Sequence, residues 1–440
     1  MQTLPEASER SVSALFQDLD VRNALSAIAS GENGLPARSR VNAHIHLPPN
    51  FSAFDSVEEA VRLAANEQIR VLGASNYYDY QVYSEFAAEA ERRGIFPLFG
   101  LEIIALVEHL VLEGVRINDP GNPGKMYICG KGIGRFDPMS PEAIELLTVI
   151  RDKDSERMAR MTDCLAQLFA AAGLDTGLNE DVVKESVVRR HGSPKETVYL
   201  QERHVAQAFQ EALFERVRPE ARPAVLEILF GVEPKSGVDD AASVQNEIRA
   251  QLMKAGKPAY IEETFVDFSH AYRLILALGG IPCYPTLADG ASPICQFETP
   301  VEKLIEEIKG RGIPSAEMIP VRNSPEVLAH YATSIRAAGL VVTAGTEHNT
   351  RETLPLEPTC VKGAPIPEEV RELFWEGACV VAAHQVLVLR GEPGFVDGEG
   401  NPNPAYRSPE ERIAAFSALG ADLIRQFQDR FPAPAGRLPA

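Results

Sequence analysis

Val41-Asn-Ala-His-Ile-His46, Ile69-Arg-Val-Leu-Gly-Ala74 and Ile95-Phe-Pro-Leu-Phe-Gly-Leu-Glu-Ile103 are three short apolar runs separated by two amphipathic stretches. Each has the length of a strand and is rich in β-branched or aromatic residues, so the pattern predicts three strands. The stretch 56–66 opens on Ser56 with Glu59 three residues on, a capping-box pattern, and 83–93 closes on Gly94. Both therefore read as helices. Strand–helix–strand alternation with short connections implies parallel strands and right-handed crossovers. The same texture returns after Tyr260, with strands at 280–284, 315–320 and 340–344 and helices at 268–278, 301–310 and 325–338.

Between these halves the strand texture disappears. Helices are predicted at 143–172, 205–217, 224–229 and 241–255, which makes 136–257 a helical insertion. The expected organisation is N-terminal helices over 1–40, a first α/β part over 41–135, the insertion, a second α/β part over 258–395, and a C-terminal helix and tail over 396–440. The N-terminal helices are read from Val12, Leu15, Phe16, Leu19, Val21, Leu25 and Ile28, and the last helix spans 409–431.

Composition narrows the function. The 440 residues are 45% hydrophobic and 24% charged, with a formal net charge of −19. A chain so acidic repels phosphate backbones, which argues against non-specific nucleic-acid binding but leaves room for a local basic pocket. The six cysteines show no CxxC spacing, which favours reduced thiols and a cytoplasmic home. The first residues carry early acids and no apolar signal-like core, and no apolar run approaches about 18 residues, so neither a signal peptide nor a membrane span is expected.

His44-Ile-His46 is the strongest chemical signal. On a strand, residues i and i+2 share a face, and imidazoles about 7 Å apart can close on one cation. Taken alone, the pair reads equally as two surface histidines beside the turn at Pro48-Pro49. Glu102 ends another apolar strand, and Gly345-Thr-Glu-His-Asn349 follows a third, so three strand ends carry His-x-His, Glu and Glu-His. Together His44, His46, Glu102, Glu347 and His348 make a coherent nitrogen and oxygen set for one divalent ion, Zn, Mn or Fe. Arg322, just beyond the strand 315–320, is placed to pair with a substrate anion, and Glu317 within that strand faces inward and needs a partner.

Taken in order over roughly 41–350, these motifs resemble the PHP (polymerase and histidinol phosphatase) superfamily. The matching segments are Val41–His46 with Asp55-Ser-Val-Glu-Glu-Ala60, Gly94–Ile103, Gly279-Gly-Ile-Pro-Cys-Tyr-Pro285 and Ala344-Gly-Thr-Glu-His348. The stretches 157–173, Arg203-His204-Val-Ala206 and Lys257-Pro-Ala-Tyr260 resemble the helical insertion of that family's nucleoside-monophosphate phosphatase and nuclease-like members. The resemblance implies a distorted (β/α)7 TIM-like barrel with metals at the strand C-termini that activate water for phosphoester hydrolysis. The departures are specific. Where the family carries histidines, this chain has Tyr77 (in Ala74-Ser-Asn-Tyr77), Tyr284 and Tyr127, and Thr346 stands at the usual late Asp position. Phenols, with a pKa of about 10, are poor ligands near neutrality, so one ion is expected in place of a cluster.

The resulting expectation is a metal-dependent hydrolase of a small anionic substrate, a phosphoester. Glu347 or His348 would serve as general base, Arg322 would orient the anion, and Tyr77, Tyr127, Tyr284 and Asn76 would contact substrate. The alternatives are a mononuclear-metal sugar or sugar-acid isomerase, epimerase or lyase on the same barrel, and a non-catalytic binding protein. His109 could replace a missing ligand, and His384, within 380–389, is expected on a strand near the barrel end. His191, in Arg189-Arg-His-Gly192, belongs to a small basic cluster that could hold an anion or be a solvated run, and His204, His270 and His330 read as structural bystanders.

Overall fold

The computed structural model describes residues 12–22, 38–235, 237–349 and 355–433. β1 (Arg40–Ile45), β2 (Ile69–Asn76) and β3 (Phe96–Leu106) pair in parallel, with α1 (Val57–Asn66) and α2 (Val82–Arg93) as the crossovers. The Ser56 hydroxyl caps the Glu59 N–H at 3.1 Å, and the Glu59 carboxylate reaches back to the Asp55 N–H. Gly94 ends α2 in the left-handed region with φ 63°.

One expectation for 41–135 is corrected. A single-turn helix, α3 (Glu108–Leu112), leads into β4 (Lys125–Lys131), which runs antiparallel to its neighbours β3 and β6. A parallel return needs a crossover of a dozen or more residues that covers the sheet. The connection over 107–124 is long enough but holds only one five-residue helix, so it builds no covering layer, and the chain comes back antiparallel.

The insertion follows as α4 (Pro141–Ala171), α5 (Glu180–His191), α6 (Glu202–Arg216), α7 (Arg222–Phe230) and α8 (Ala241–Ile248), the last running into a π-helical turn at Arg249–Met253. α5 was not expected; it buries only Val183 and Val187 and so carries little apolar periodicity. A second apolar cluster, from Met158 to Ile261, holds these helices together apart from the barrel core. α4 belongs to both: Ala143, Leu147 and Ile150 pack in the barrel core, whereas Met161, Leu165 and Phe169 pack in the second.

The barrel resumes with the short β5 (Val266–Asp267), α9 (Phe268–Ala277), β6 (Ile281–Thr286), α10 (Val301–Gly310), β7 (Ser315–Met318), α11 (Pro325–Ala337) and β8 (Val341–Ala344). Strand order is β1-β2-β3-β4-β6-β7-β8, with β5 attached to β3. The ring is closed just beyond β8. The His44 carbonyl accepts from the N–H groups of Thr346 and Glu347 (3.1 and 2.9 Å), and the Glu347 carbonyl accepts from His46 N–H at 3.0 Å. This is a mixed α/β, nearly closed, seven-stranded TIM-like barrel, the fold expected.

Two further helices cover the outside. α12 (Glu368–Leu389) is long and apolar enough to cross a membrane by composition, yet 78% of its most apolar window is buried here, against β8 and α13 (Pro409–Arg430). His384 therefore lies on a helix, not on the expected strand; it bonds the Gly279 carbonyl (2.8 Å) and accepts from Phe395 N–H (2.9 Å). A continuous apolar run carries no period that separates a buried strand from a buried helix. At the N-terminus, Val12–Phe16 forms a 3-10 turn in place of the expected helix, and Phe16 packs against Phe96 and Phe427. Leu25 and Ile28 lie outside the described residues.

Closure depends on one missing side chain. A Cβ on Gly345 would stand 2.2 Å from the His44 Cβ, a contact between two strand ends that neither backbone can relax independently. Gly345→Ala is expected to lower stability by about 1–3 kcal/mol, the usual cost of overpacking. Urea denaturation reads this directly, and an unchanged midpoint would show that the ends are not locked together.

Candidate metal centre and its cavity

Strand register decides which side chains meet inside the barrel. Glu102 on β3 faces Cys129 on β4, which faces Cys283 on β6, while Glu317 on β7 pairs with Pro285 and Thr343. Alternation then brings Lys131 and Tyr127 to the same face of β4 as Cys129.

Above this layer His44 and His46 lie 1% and 0% exposed, with ring centroids 4.9 Å apart. Oε2 of Glu102 is 3.2 Å from His46 Nε2 and 3.9 Å from His44 Nε2. All three residues present a ligand atom within 4.8 Å of the others. Both Nε2 atoms and this Oε2 are buried without a hydrogen-bond partner. Leaving such atoms unpartnered costs about 1–3 kcal/mol each, so the cluster has the character of a cation site. Two imidazoles and a carboxylate suit Zn, Mn or Fe(II). Burial opposes ionisation of Glu102, but His46 and His44 outweigh it and bring its pKa down to about 2.

His44 is oriented from behind. Its Nδ1–H donates to Glu317 Oε1 at 2.5 Å, which turns the Nε2 lone pair toward the cluster. The other carboxylate oxygen holds Lys131 Nζ at 2.6 Å. Burial alone would raise Glu317 and lower Lys131, but each charge overrides it for the other, leaving the carboxyl below its ordinary value and the amine above.

The remaining expected residues divide. Tyr77 stacks on His46 (5.3 Å, 14°), and its phenol bonds Glu102; burial first, then that carboxylate, raises it well above 10, so it acts as a neutral donor. Tyr127 also faces the cavity, pushed up to about 12 by burial against the pull of Lys125. Tyr284 does not: it sits on the opposite face of β6, stacked on Phe297, and its hydroxyl donates to Glu298 at 2.9 Å. Asn76 is consumed in shaping backbone, bonding both the N–H and the carbonyl of Leu47 (2.9 Å each).

Glu347 and His348 do not join the close His44–His46–Glu102 group. Both have left-handed φ, 63° and 46°, a costly conformation for residues with a Cβ. It sends Glu347 into the cavity, bonded by Arg322 and Asn349, while His348 Nδ1 lies 2.7 Å from the Thr346 hydroxyl and its ring stacks on Phe54. Three of the five expected ligands therefore converge. Among the other histidines, His109 is exposed, and His204 is held by the Gln201 N–H with its pKa lowered to about 3 by burial.

Of the cluster, Glu102 reaches the wall of a cavity of about 460 Å³, lined on the barrel side also by Tyr77, Tyr127, Arg322 and Glu347 and on the other by the insertion. Glu202 of α6 is held there by Lys254 (2.7 Å), Arg157 (2.8 Å) and Arg249 (3.5 Å). Arg203, next to it, has no hydrogen bond or ion pair among the described residues. Burial first, then the charges of Arg249 and Arg322, lower its pKa to about 10. The buried Nε of Arg249 is likewise unpartnered. One guanidinium without an anion, that of Arg203, thus lines the cavity of an acidic protein. Sequence reasoning missed Arg203, Arg249 and Lys131. For Lys131 the signal was its i+2 spacing from Cys129, usable only once 125–131 is known to be a strand.

No protein-family profile matches the sequence, and no curated protein matches it. Among solved structures, the chain is similar to a Bifidobacterium adolescentis protein provisionally described as a metal-dependent phosphoesterase, with 16% identity and a TM-score of 0.51 over 77% of this chain and 96% of that one. It is also similar to an amidohydrolase from Chromobacterium violaceum, solved with sulfate and no metal, with 20% identity and a TM-score of 0.47 over 76% and 97% of the two chains. The first likeness places the fold among barrels of this architecture.

Breaking a buried ion pair by removing one member typically costs about 3–5 kcal/mol. Lys131→Met and Glu317→Leu are each expected to lose about that much, and the double variant clearly less than the sum. Simple additivity in a denaturation cycle would show that the two groups do not depend on each other.

Proposed function

We propose that this chain is a metal-dependent hydrolase of the PHP type acting on a small anionic substrate, with a phosphoester as the chemistry its cavity suits best. The observation that carries the reading is the convergence of three buried, unpartnered donor atoms, on His44, His46 and Glu102, where Glu102 meets a cavity that also holds the unpaired guanidinium of Arg203. One divalent ion held by these residues would supply a Lewis acid that polarises a phosphoryl group and lowers the pKa of water toward about 7.

The chain's own residues do the rest. Arg203, with Arg249 and Arg322 beside it, holds the substrate anion, and a guanidinium suits oxyanions because its donors match their geometry. Tyr77 and Tyr127 offer neutral hydroxyls to the bound substrate. Glu347, held by Arg322 at the cavity wall, takes up the proton released on hydrolysis. The insertion restricts the cavity to small molecules and limits water. The six free thiols fit a reducing, cytoplasmic setting. A second reading, a single-ion isomerase or lyase on a sugar acid, draws on the two neutral phenols at the cavity.

Purified protein is expected to bind one Zn, Mn or Fe ion per chain, and His46→Ala to lose both the ion and turnover of a phosphomonoester or phosphodiester. Ion binding without turnover of any phosphoester would sink the hydrolase reading. Arg203→Gln is expected to raise KM about 10–100-fold with kcat nearly unchanged, as loss of a charge-assisted contact made equally in ground and transition states. An equal fall in kcat would instead place Arg203 at the reacting group.

A further inference from the structure

We propose that Lys131 is a resident cation that fills a second metal position behind the His44–His46–Glu102 centre and so sets that centre's capacity at one ion. This rests on the metal-binding reading above. His44, Cys129 and Glu317 bring an imidazole, a thiol and a carboxylate within 4.8 Å of one another, all buried. That donor set, one nitrogen, one sulfur and one oxygen, is of the kind that holds a tetrahedral dication. It shares His44 with the upper cluster, so the two positions are neighbours on one imidazole.

The ammonium of Lys131 occupies this lower position. Its Nζ lies 2.6 Å from Glu317 Oε2 and 3.4 Å from each of the Ser75 hydroxyl and the Ala43 carbonyl, so three N–H donors meet three oxygens. It also stands 3.4 Å from His44 Nδ1. The side chain enters from β4, two residues beyond Cys129 on the same face, and is 2% exposed. An ion bound by His44, Cys129 and Glu317 would have to displace this amine and break the Nδ1–H bond to Glu317. The lysine therefore performs the electrostatic task of a second metal: it neutralises the buried Glu317 carboxylate, whose other oxygen holds the His44 imidazole in one orientation. It does so without offering a vacant coordination position.

Cobalt(II) titration of the full-length protein, read by absorption and elemental analysis, tests this. Wild type is expected to take one cobalt per chain with no thiolate-to-cobalt band, and Cys129→Ser to bind it with affinity unchanged within about twofold. Lys131→Ala is expected to take a second cobalt and to gain that band; both vanish in Lys131→Ala/Cys129→Ser, and Lys131→Arg stays at one ion. Two ions in wild type, or a capacity still at one in folded Lys131→Ala, overturn the proposal. The wild-type arms stand even where Lys131→Ala does not fold. No ion at all in wild type removes the metal-binding reading itself, so the two failures are distinct.

Discussion

The Glu317 carboxylate spans the inside of the barrel, one oxygen on His44 of β1 and the other on Lys131 of β4, and it ties three strands that are distant in sequence. The pair is nearly dry, and desolvating each ion costs several kcal/mol. At an effective dielectric of about 20, two unit charges about 4 Å apart attract by only about 4 kcal/mol. Attraction alone does not carry such an arrangement. What allows it is that each ammonium hydrogen of Lys131 and each carboxylate oxygen of Glu317 has a partner, so the ion pair itself leaves no desolvated group over. The same bond fixes which imidazole nitrogen of His44 bears the proton, and so which one can face a cation.

Barrel closure and site formation are one event. The backbone that joins β8 to β1 runs through His44, His46, Thr346 and Glu347. The left-handed turn at Glu347 and His348 both completes those hydrogen bonds and swings a carboxylate over the cavity. Strain of this type, on the order of 1–3 kcal/mol for each residue, persists only where surrounding contacts over-determine it. Here the ring of strands does so.

Much of this was legible in the sequence, and the gaps have physical reasons. The first three strands declared themselves as apolar runs with capped helices between them, and His-x-His needed only the two-residue strand period to put both imidazoles on one face. β4 was hidden because its inward residues are Tyr127, Cys129 and Lys131, so its polarity marks the barrel interior rather than solvent. Tyr284 was expected at the cavity on motif resemblance; alternation instead turns Cys283 and Pro285 inward and sends Tyr284 under α10's leading loop, onto Phe297. Glu347 and His348 are adjacent in sequence, which suggested a shared ligand pair. Adjacency does not encode φ, and φ separates them.

The distribution of charge shows why the insertion and the barrel need each other. A net charge of −19 sets a repulsive field for anions over the whole surface, yet the cavity wall gathers Arg157, Arg203, Arg249 and Lys254 on one side. Glu202 holds three of the four and leaves Arg203 uncompensated. The barrel contributes the opposite endowment, the carboxylates of Glu102 and Glu347 with the imidazoles. Neither half alone has both a cation seat and an anion seat. α4 passes from one core to the other as a single 31-residue helix, so the two seats are fixed relative to each other by a rigid rod, not by a flexible linker. On the reading proposed above, an anion held by Arg203 would lie in the cavity that Glu102 also lines. On that same reading, selectivity for small anions would follow from wall charge at the cavity, against the field of the rest of the molecule.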